Sequence, residues 1–223
     1  MKRSPPVVSI TNPSIELWTR PEEITAFAAT VAHAGGKCYR RKIKDPAQFV
    51  RDRIDNRHES VLRHVMLVVD VKCSRVTSHQ LVRHGLANFT QESQRGVKFG
   101  SHKRPFEFIC PPSIAAVPAL RDNFLLDCEY AAAAYLRYTA AGIPAEDARY
   151  ILGGAAVTHL TMSANMQEWR HVWRERTALD AQWELRACMW SLVRTVYRLA
   201  PEFLHNLPGI EEITHEKSTN DAV

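Results

Sequence analysis

Apolar and polar positions alternate along the chain in short periodic runs, each closed off by proline or glycine, and the runs predict a mixture of strands and helices. Val7–Ile10 reads as a short strand. Pro21-Glu22-Glu23 opens an alanine-rich helix, which Gly35-Gly36 is expected to terminate. Asp45-Pro46 starts another helix, reaching about Asn56. Met66–Val71, a β-branched run, fits a buried strand and leads into a helix over Arg75–His84, where Val76, His79, Gln80 and Arg83 fall at helical spacing.

Further along, Phe106–Cys110 is expected to be a strand, entered after Pro105 and stopped by Pro111-Pro112. A long helix follows from about Ile114 to Ala141, with Leu125, Cys128, Ala132 and Leu136 on one stripe, and Gly142-Ile143-Pro144 breaks it. Pro144–Arg149 begins a helix with proline in its first turn, and Thr158–Met162 fits a strand. Two helices close the chain. In the final one Trp183, Ala187, Trp190, Val193, Val196, Tyr197 and Ala200 recur at helical spacing until Pro201 ends it. The class is α+β, read as one domain over residues 1–210 with a polar C-terminal tail over 211–223.

Composition narrows the picture. The 223 residues are 45% hydrophobic, enough for one sizeable core. The longest apolar stretch, around Ala131–Ala134, is far shorter than the roughly 20 residues a membrane span needs. The basic N-terminus has no apolar run behind it, so nothing marks the chain for export and a cytoplasmic location is expected. Five widely spaced cysteines without a Cys-x-x-Cys pair suggest reduced thiols. The net charge of +5 favours an anionic partner, for which nucleic acid, a nucleotide or a phosphorylated cofactor all qualify.

Several familiar motifs fail. His58-Glu59 begins like a zinc-protease helix, yet Leu62 stands where the second histidine belongs, and no histidine pair has helical i,i+4 spacing with an acid close by; no protein-ligated metal is expected. Gly35-Gly36-Lys37 is no phosphate loop. Cys110 reads either as a nucleophile or as a small buried hydrophobe, and no histidine lies near it in sequence.

The stretch from Gln80 to Arg95 remains. It gathers Gln80, Arg83, His84, Asn88, Thr90, Gln91, Ser93, Gln94 and Arg95. Arginine forks bind phosphate and uracil-type carbonyls in fixed geometry, and amides and hydroxyls supply the complementary donors and acceptors. An ordinary polar surface helix and strand is the alternative.

The same stretch resembles the signature of flavin-dependent thymidylate synthases, Arg-His-Arg followed at a set distance by Ser, with Arg83, His84 and Ser93 in place and Ser74-Arg75, His79-Gln80 and Gln91–Arg95 matching around them. A second matching block runs from Asn165 through His171 to Arg176, then Ala181-Gln182-Trp183-Glu184, and Pro144–Arg149 matches a segment that supplies a nucleotide-binding arginine. Order and spacing agree from about Gly35 to Pro201.

The resemblance implies a single α+β domain with a central, mostly antiparallel sheet flanked by long helices. It implies a homotetramer whose subunits together form each site, where FAD, a uridylate and a folate stack. NADPH would reduce the flavin, 5,10-methylenetetrahydrofolate would supply the carbon, and no enzyme cysteine would be needed. The difficult chemistry falls to the cofactors, and the protein orients and polarises. Carried over by position, Gln80, Gln91, Ser93, Gln94, Arg95 and Arg149 would hold the nucleotide. Arg176 would be set against its base, and Arg176 and Ser93 are the catalytic candidates. His58, Ser60, Arg83, His84, Thr90, Asn165 and His171 would contact FAD; His58 and His84 read equally as structural residues, and Arg83 as a partner of Glu92.

The chain also departs from the family pattern. Gly85 replaces the second arginine of the signature, Gly96 a tyrosine, Gln167 an arginine and Asn88 a serine, and Arg63 sits where many relatives have an acidic flavin contact. Lys98, Lys103 or Arg104 could compensate for the charge missing at Gly85. The expectations are therefore an ordinary dUMP methylase, a specialised relative that accepts UMP, as in a nucleoside-antibiotic pathway, or a relative that has lost turnover. The rival from another class is a non-catalytic nucleotide- or nucleic-acid-binding protein, which predicts steep salt dependence. Against it, Trp183 and Trp190 fall on the expected core stripe and are not interleaved on a surface.

Overall fold

A computed structural model describes residues 6–96, 98–100, 104–211 and 213; most of the tail expected over 211–223 lies outside them. In chain order the elements are β1 (Val8–Ile10), β2 (Ser14–Leu17), α1 (Pro21–Thr25), α2 (Phe27–Cys38), α3 (Pro46–Asp55), β3 (Met66–Ser74), α4 (Arg75–Leu81), β4 (Asn88–Gln91), β5 (Phe106–Phe108), α5 (Pro112–Ala115), α6 (Pro118–Ala140), α7 (Ala145–Ala148), β6 (Val157–Asn165), α8 (Met166–Arg176) and α9 (Trp183–Leu199). Short 3-10 turns occupy Glu59–His64, Arg149–Ile151 and Pro201–Leu204.

The chain is α+β with an antiparallel sheet, as expected. Four strands run in the order β2-β3-β6-β4, and β1 and β5 form a separate parallel pair, Val8 opposite Phe106 and Ile10 opposite Phe108. Both central strands outrun the apolar segments that announce them. In β3 this is because Lys72 stays in the strand with its ammonium satisfied by Glu107 at 2.7 Å and Thr11 at 2.9 Å. Each central strand passes directly into a helix at a capping residue. Ser74 Oγ accepts from Thr77 N at 3.1 Å and Asn165 Oδ1 from Glu168 N at 3.0 Å, so the cap satisfies a donor that the helix itself leaves open.

Three expectations about elements change. Helix α2 runs through Gly35-Gly36 to Cys38. Those glycines serve packing: a Cβ on Gly35 would lie 2.4 Å from the Phe49 ring, and one on Gly36 2.6 Å from the Arg41 carbonyl oxygen. The helix expected from Ile114 starts as α5 and restarts as α6, because Val117, preceding Pro118, is extended at φ −113, ψ 105, as residues before proline are driven to be. In α9 the buried stripe is Leu185, Cys188, Met189, Leu192, Val193 and Val196. Apolar residues cover a wide arc of this helix, and the fold buries the neighbouring stripe, leaving Ala187 exposed and Trp183 and Trp190 half-buried.

Two compact units can be distinguished. The first holds the chain up to Ser14, Val71–Arg83 and Thr90–Leu160; the second holds Ile15–Asp70, His84–Phe89 and the chain from Thr161 on. In the first, Phe106, Phe108, Cys128, Ala132, Tyr135, Ala148 and Ala156 form the core. Phe106 and Tyr135 meet edge to face at 5.6 Å. In the second, α8 is the organising element. It packs on the Glu59–His64 turn and on α9, and its Trp169 and Trp173 stack at 5.7 Å with no exposed surface. The indole Nε1 of Trp169 donates to Leu67 O at 2.9 Å.

Candidate active site

In the first unit, the residues assigned to a nucleotide gather around β4 and the loop after it. Gln91, on β4, donates through Nε2 to Ser78 Oγ at 2.9 Å and Thr158 Oγ1 at 3.1 Å, tying β4 to α4 and β6. Ser93 Oγ accepts from the N–H groups of Arg95 and Gly96, both at 3.2 Å. Its lone pairs therefore hold the turn and its proton stays available to a ligand. Arg95 pairs with Glu146 at 2.5 Å, and Arg149 Nε donates to the Glu146 carbonyl at 3.0 Å, so one residue joins both arginines. Gln80 and Gln94 are half-buried, and Arg83 and Thr90 are exposed. The expected alternative, Arg83 paired with Glu92, does not form among the described residues.

In the second unit, α8 addresses the residues assigned to the flavin. Asn165 caps it. Arg170, 2% exposed, donates through Nε to Glu59 at 3.1 Å and through Nη1 to the carbonyls of Phe203 at 2.7 Å and His205 at 2.9 Å. This fixes the turn that carries exposed Ser60 and follows exposed His58. Arg63 donates to Gln167, so two departures from the family pattern meet each other.

One cluster in this unit escaped the sequence reading. Buried His84 accepts from Arg176 Nε through Nε2 at 3.0 Å, and its Nδ1 stands 3.9 Å from buried Glu168. The ring of His171 meets it edge-on at 5.7 Å. Burial holds the His84 pKa down at about 4, with the Arg176 guanidinium and His171 adding to the effect and Glu175 opposing it; the ring is neutral at physiological pH. Ligand atoms of His84, Glu168 and His171 lie within 4.8 Å of one another. A metal on Nδ1 would leave the ring proton on Nε2, donor against donor with Arg176, and a metal on Nε2 would displace Arg176. Glu168 and His171, one turn apart on α8, were the signal available in the sequence; their distant third member, His84, was not.

Cys110 is half-buried and burial pushes its thiol pKa up, as it does to about 11 for Cys128 and about 12 for Cys188. The second unit also carries an open cleft of about 680 Å³ lined by His33, Lys37, Arg40, Arg41 and Lys42. Lys37, Arg40, Arg41 and Lys42 make its wall basic. Among the described residues no helix is long and apolar enough to cross a membrane.

Arginines, amides and a hydroxyl in one unit, and histidines, a serine and an arginine with free terminal nitrogens in the other, are the donor types that a nucleotide and a phosphorylated cofactor call for. Residues 15–202 match the family described as Thymidylate synthase complementing protein. The flavin-dependent thymidylate synthase of Geobacter sulfurreducens is 36% identical over 195 residues, 85% of this chain and 83% of that one. That of Sulfolobus acidocaldarius is 33% identical over 203 residues, 87% and 75% of the two chains. Among solved structures, the UMP/dUMP methylase PolB from Streptomyces cacaoi bound with 5-Br dUMP superposes with a TM-score of 0.72 at 19% identity, covering 87% of this chain and 94% of that one.

The chain belongs to the flavin-dependent thymidylate synthase family. Its reaction is the C5-methylation of a uridylate, with FAD as cofactor and NADPH and methylenetetrahydrofolate as the family's co-substrates. The donor set suits FAD. The side chains of His58 and Ser60 are exposed without a partner among the described residues, which matches the carbonyl and phosphate oxygens that such a cofactor presents.

Proposed function

We propose that this enzyme is a cytoplasmic homotetramer that methylates UMP as well as dUMP. The observation carrying the sugar assignment lies at Gly85 and Gly96. Neither has a positive φ. A Cβ on Gly85 would meet nothing within 4 Å, and one on Gly96 would come no closer than 3.9 Å to Ser93 Oγ. Neither backbone strain nor packing calls for glycine at these places, so their effect is the removal of the family's arginine and tyrosine side chains. A missing guanidinium costs about 1.5–3 kcal/mol per charge-assisted bond. It also opens room and relaxes polarity where a 2′-hydroxyl would have to fit. Exposed Lys98 and Arg104 lie in the unit that holds Gly96, Arg95 and Arg149 and can supply charge to the phosphate; Lys103 lies outside the described residues. A protein of the same fold, PolB, is described as a UMP/dUMP methylase and has been seen with both 5-Br dUMP and 5-Br UMP, which supports the reading.

In this assignment Arg95 and Arg149 hold the phosphate, Arg95 exchanging the Glu146 carboxylate for a group of similar geometry. Ser93 donates its hydroxyl proton, and Gln80, Gln91 and Gln94 supply amides. Arg176 stabilises the negative charge that develops on a uracil carbonyl. His58, Ser60, Arg83, Thr90, Asn165 and His171 hold FAD, which supplies the hydride when reduced. The test is anaerobic turnover of a dUMP and UMP mixture by wild type and Gly85→Arg. The variant should shift preference toward dUMP by about tenfold or more, the equivalent of one recovered charge-assisted bond. Equal preference in the two proteins sinks the sugar assignment.

A further inference from the structure

A carboxylate and an imidazole withdrawn from water are costly unless each is satisfied, and Glu168 and His84 are both only 6% exposed. Glu168 lies in the first turn of α8 and Arg176 ends the same helix; the ring of His84 bridges them, 3.9 Å from the carboxylate and 3.0 Å from Arg176 Nε. An arginine can only donate, so Nε2 is the acceptor and the ring proton sits on Nδ1, toward Glu168. With Nε committed, the plane of the guanidinium is set, and its two terminal nitrogens, without partners among the described residues, are left for a ligand oxygen.

We infer that Glu168 and His84 are positioning residues for the reaction: the carboxylate selects the tautomer of the ring, and the ring holds Arg176 in the orientation that meets the uracil. This rests on the role proposed for Arg176. It moves the Nε2 side of His84 away from direct contact with flavin, since Arg176 occupies it, and it adds Glu168, to which no role had been given. Arginine has four rotatable side-chain bonds, and an unheld guanidinium would have to find its orientation anew in each turnover; misplacement of a polarising group by about 1 Å can cost on the order of 10²-fold in rate.

The experiment uses the FAD-loaded enzyme and compares Glu168→Gln, His84→Gln, His84→Leu, Arg176→Lys and the Glu168→Gln/Arg176→Lys double variant. Glu168→Gln is expected to lower kcat by roughly ten- to a hundredfold with a much smaller change in KM for the nucleotide. The double variant should be no slower than Arg176→Lys alone, because the carboxylate acts only through the arginine. His84→Gln, whose amide oxygen can still accept from Arg176, should keep more activity than His84→Leu. Should Glu168→Gln fail to fold, this second comparison decides. If Arg176→Lys is crippled while Glu168→Gln turns over like wild type, or if the two losses multiply in full, the positioning inference falls and the role of Arg176 stands. Full activity of Arg176→Lys removes the role itself. A stoichiometric divalent metal in the purified enzyme, lost on Glu168→Gln, would overturn the hydrogen-bonded arrangement in favour of a metal site.

Discussion

Arg170→Met isolates how firmly α8 holds the turn over Glu59–His64, which is assigned to the flavin. Methionine keeps an unbranched stem of similar volume and adapts to irregular space, so the change removes hydrogen bonds with little cavity. Three are lost, to Glu59 and to the carbonyls of Phe203 and His205. Charge-assisted bonds contribute about 1.5–3 kcal/mol each, but the guanidinium itself was buried at a desolvation cost that the variant no longer bears. The collective figure for breaking a buried ion pair, about 3–5 kcal/mol, is the better guide. Glu59 keeps 19% of its side chain exposed, which places the loss near the lower end, about 3 kcal/mol. For a chain of this length that is about 6–12 °C in Tm. Wild type and variant should be melted at one fixed protein concentration, because assembly raises apparent stability. The FAD-to-protein ratio after gel filtration should fall in parallel, since Ser60 lies on the released turn. A variant melting within about 2 °C of wild type would refute the reasoning.

Two further outcomes follow from geometry. The unfolded chain takes up a proton on His84 near 6.5 while the native ring, facing Arg176, His171, Glu168 and Glu175, resists until about 4; stability is therefore full above pH 6.5 and falls as pH descends through that window, by about 3 kcal/mol in all and about 2 kcal/mol by pH 5. Urea titrations at pH 7.5 and 5 should show this loss in wild type and a smaller one in His84→Gln; the same loss in both would remove His84 as its source. Gly35→Ala, whose methyl would press into the Phe49 ring, should cost about 1–3 kcal/mol by overpacking, and an unchanged or raised Tm would show that the ring yields freely.

Where structure follows from neighbouring residues, the sequence was a good guide. Asp45 caps α3 as its pairing with Pro46 announces, and Gly142, at φ +87, ends α6 where a left-handed residue is needed. Gly35 does not end its helix because the reason for it is Phe49, on the next helix. The stripe of α9 was misplaced because two adjacent stripes are comparably apolar and only packing chooses between them. At the candidate site, the arginines and Ser93 are picked out by the family signature. The engagement of Gln91 with Ser78 and Thr158, and the joining of Arg95 to Arg149 through Glu146, depend on residues brought from distant segments. The Glu168–His84–Arg176 arrangement is of the same kind: each member is ordinary alone, and only the fold gives the three a common purpose.

The contact between Arg63 and Gln167 has a bearing on how such an enzyme diverges. The family pattern that the sequence resembles has an acid at the first position and an arginine at the second, and in this chain the two replacements are joined by a hydrogen bond. The two intermediates are not equivalent. Losing the arginine first leaves an acid facing an amide that can donate to it, whereas replacing the acid first sets two guanidinium groups against each other. Because the two side chains touch, their contributions should be coupled, and transplanting either residue alone between this chain and a relative is expected to misreport what each contributes in its own background.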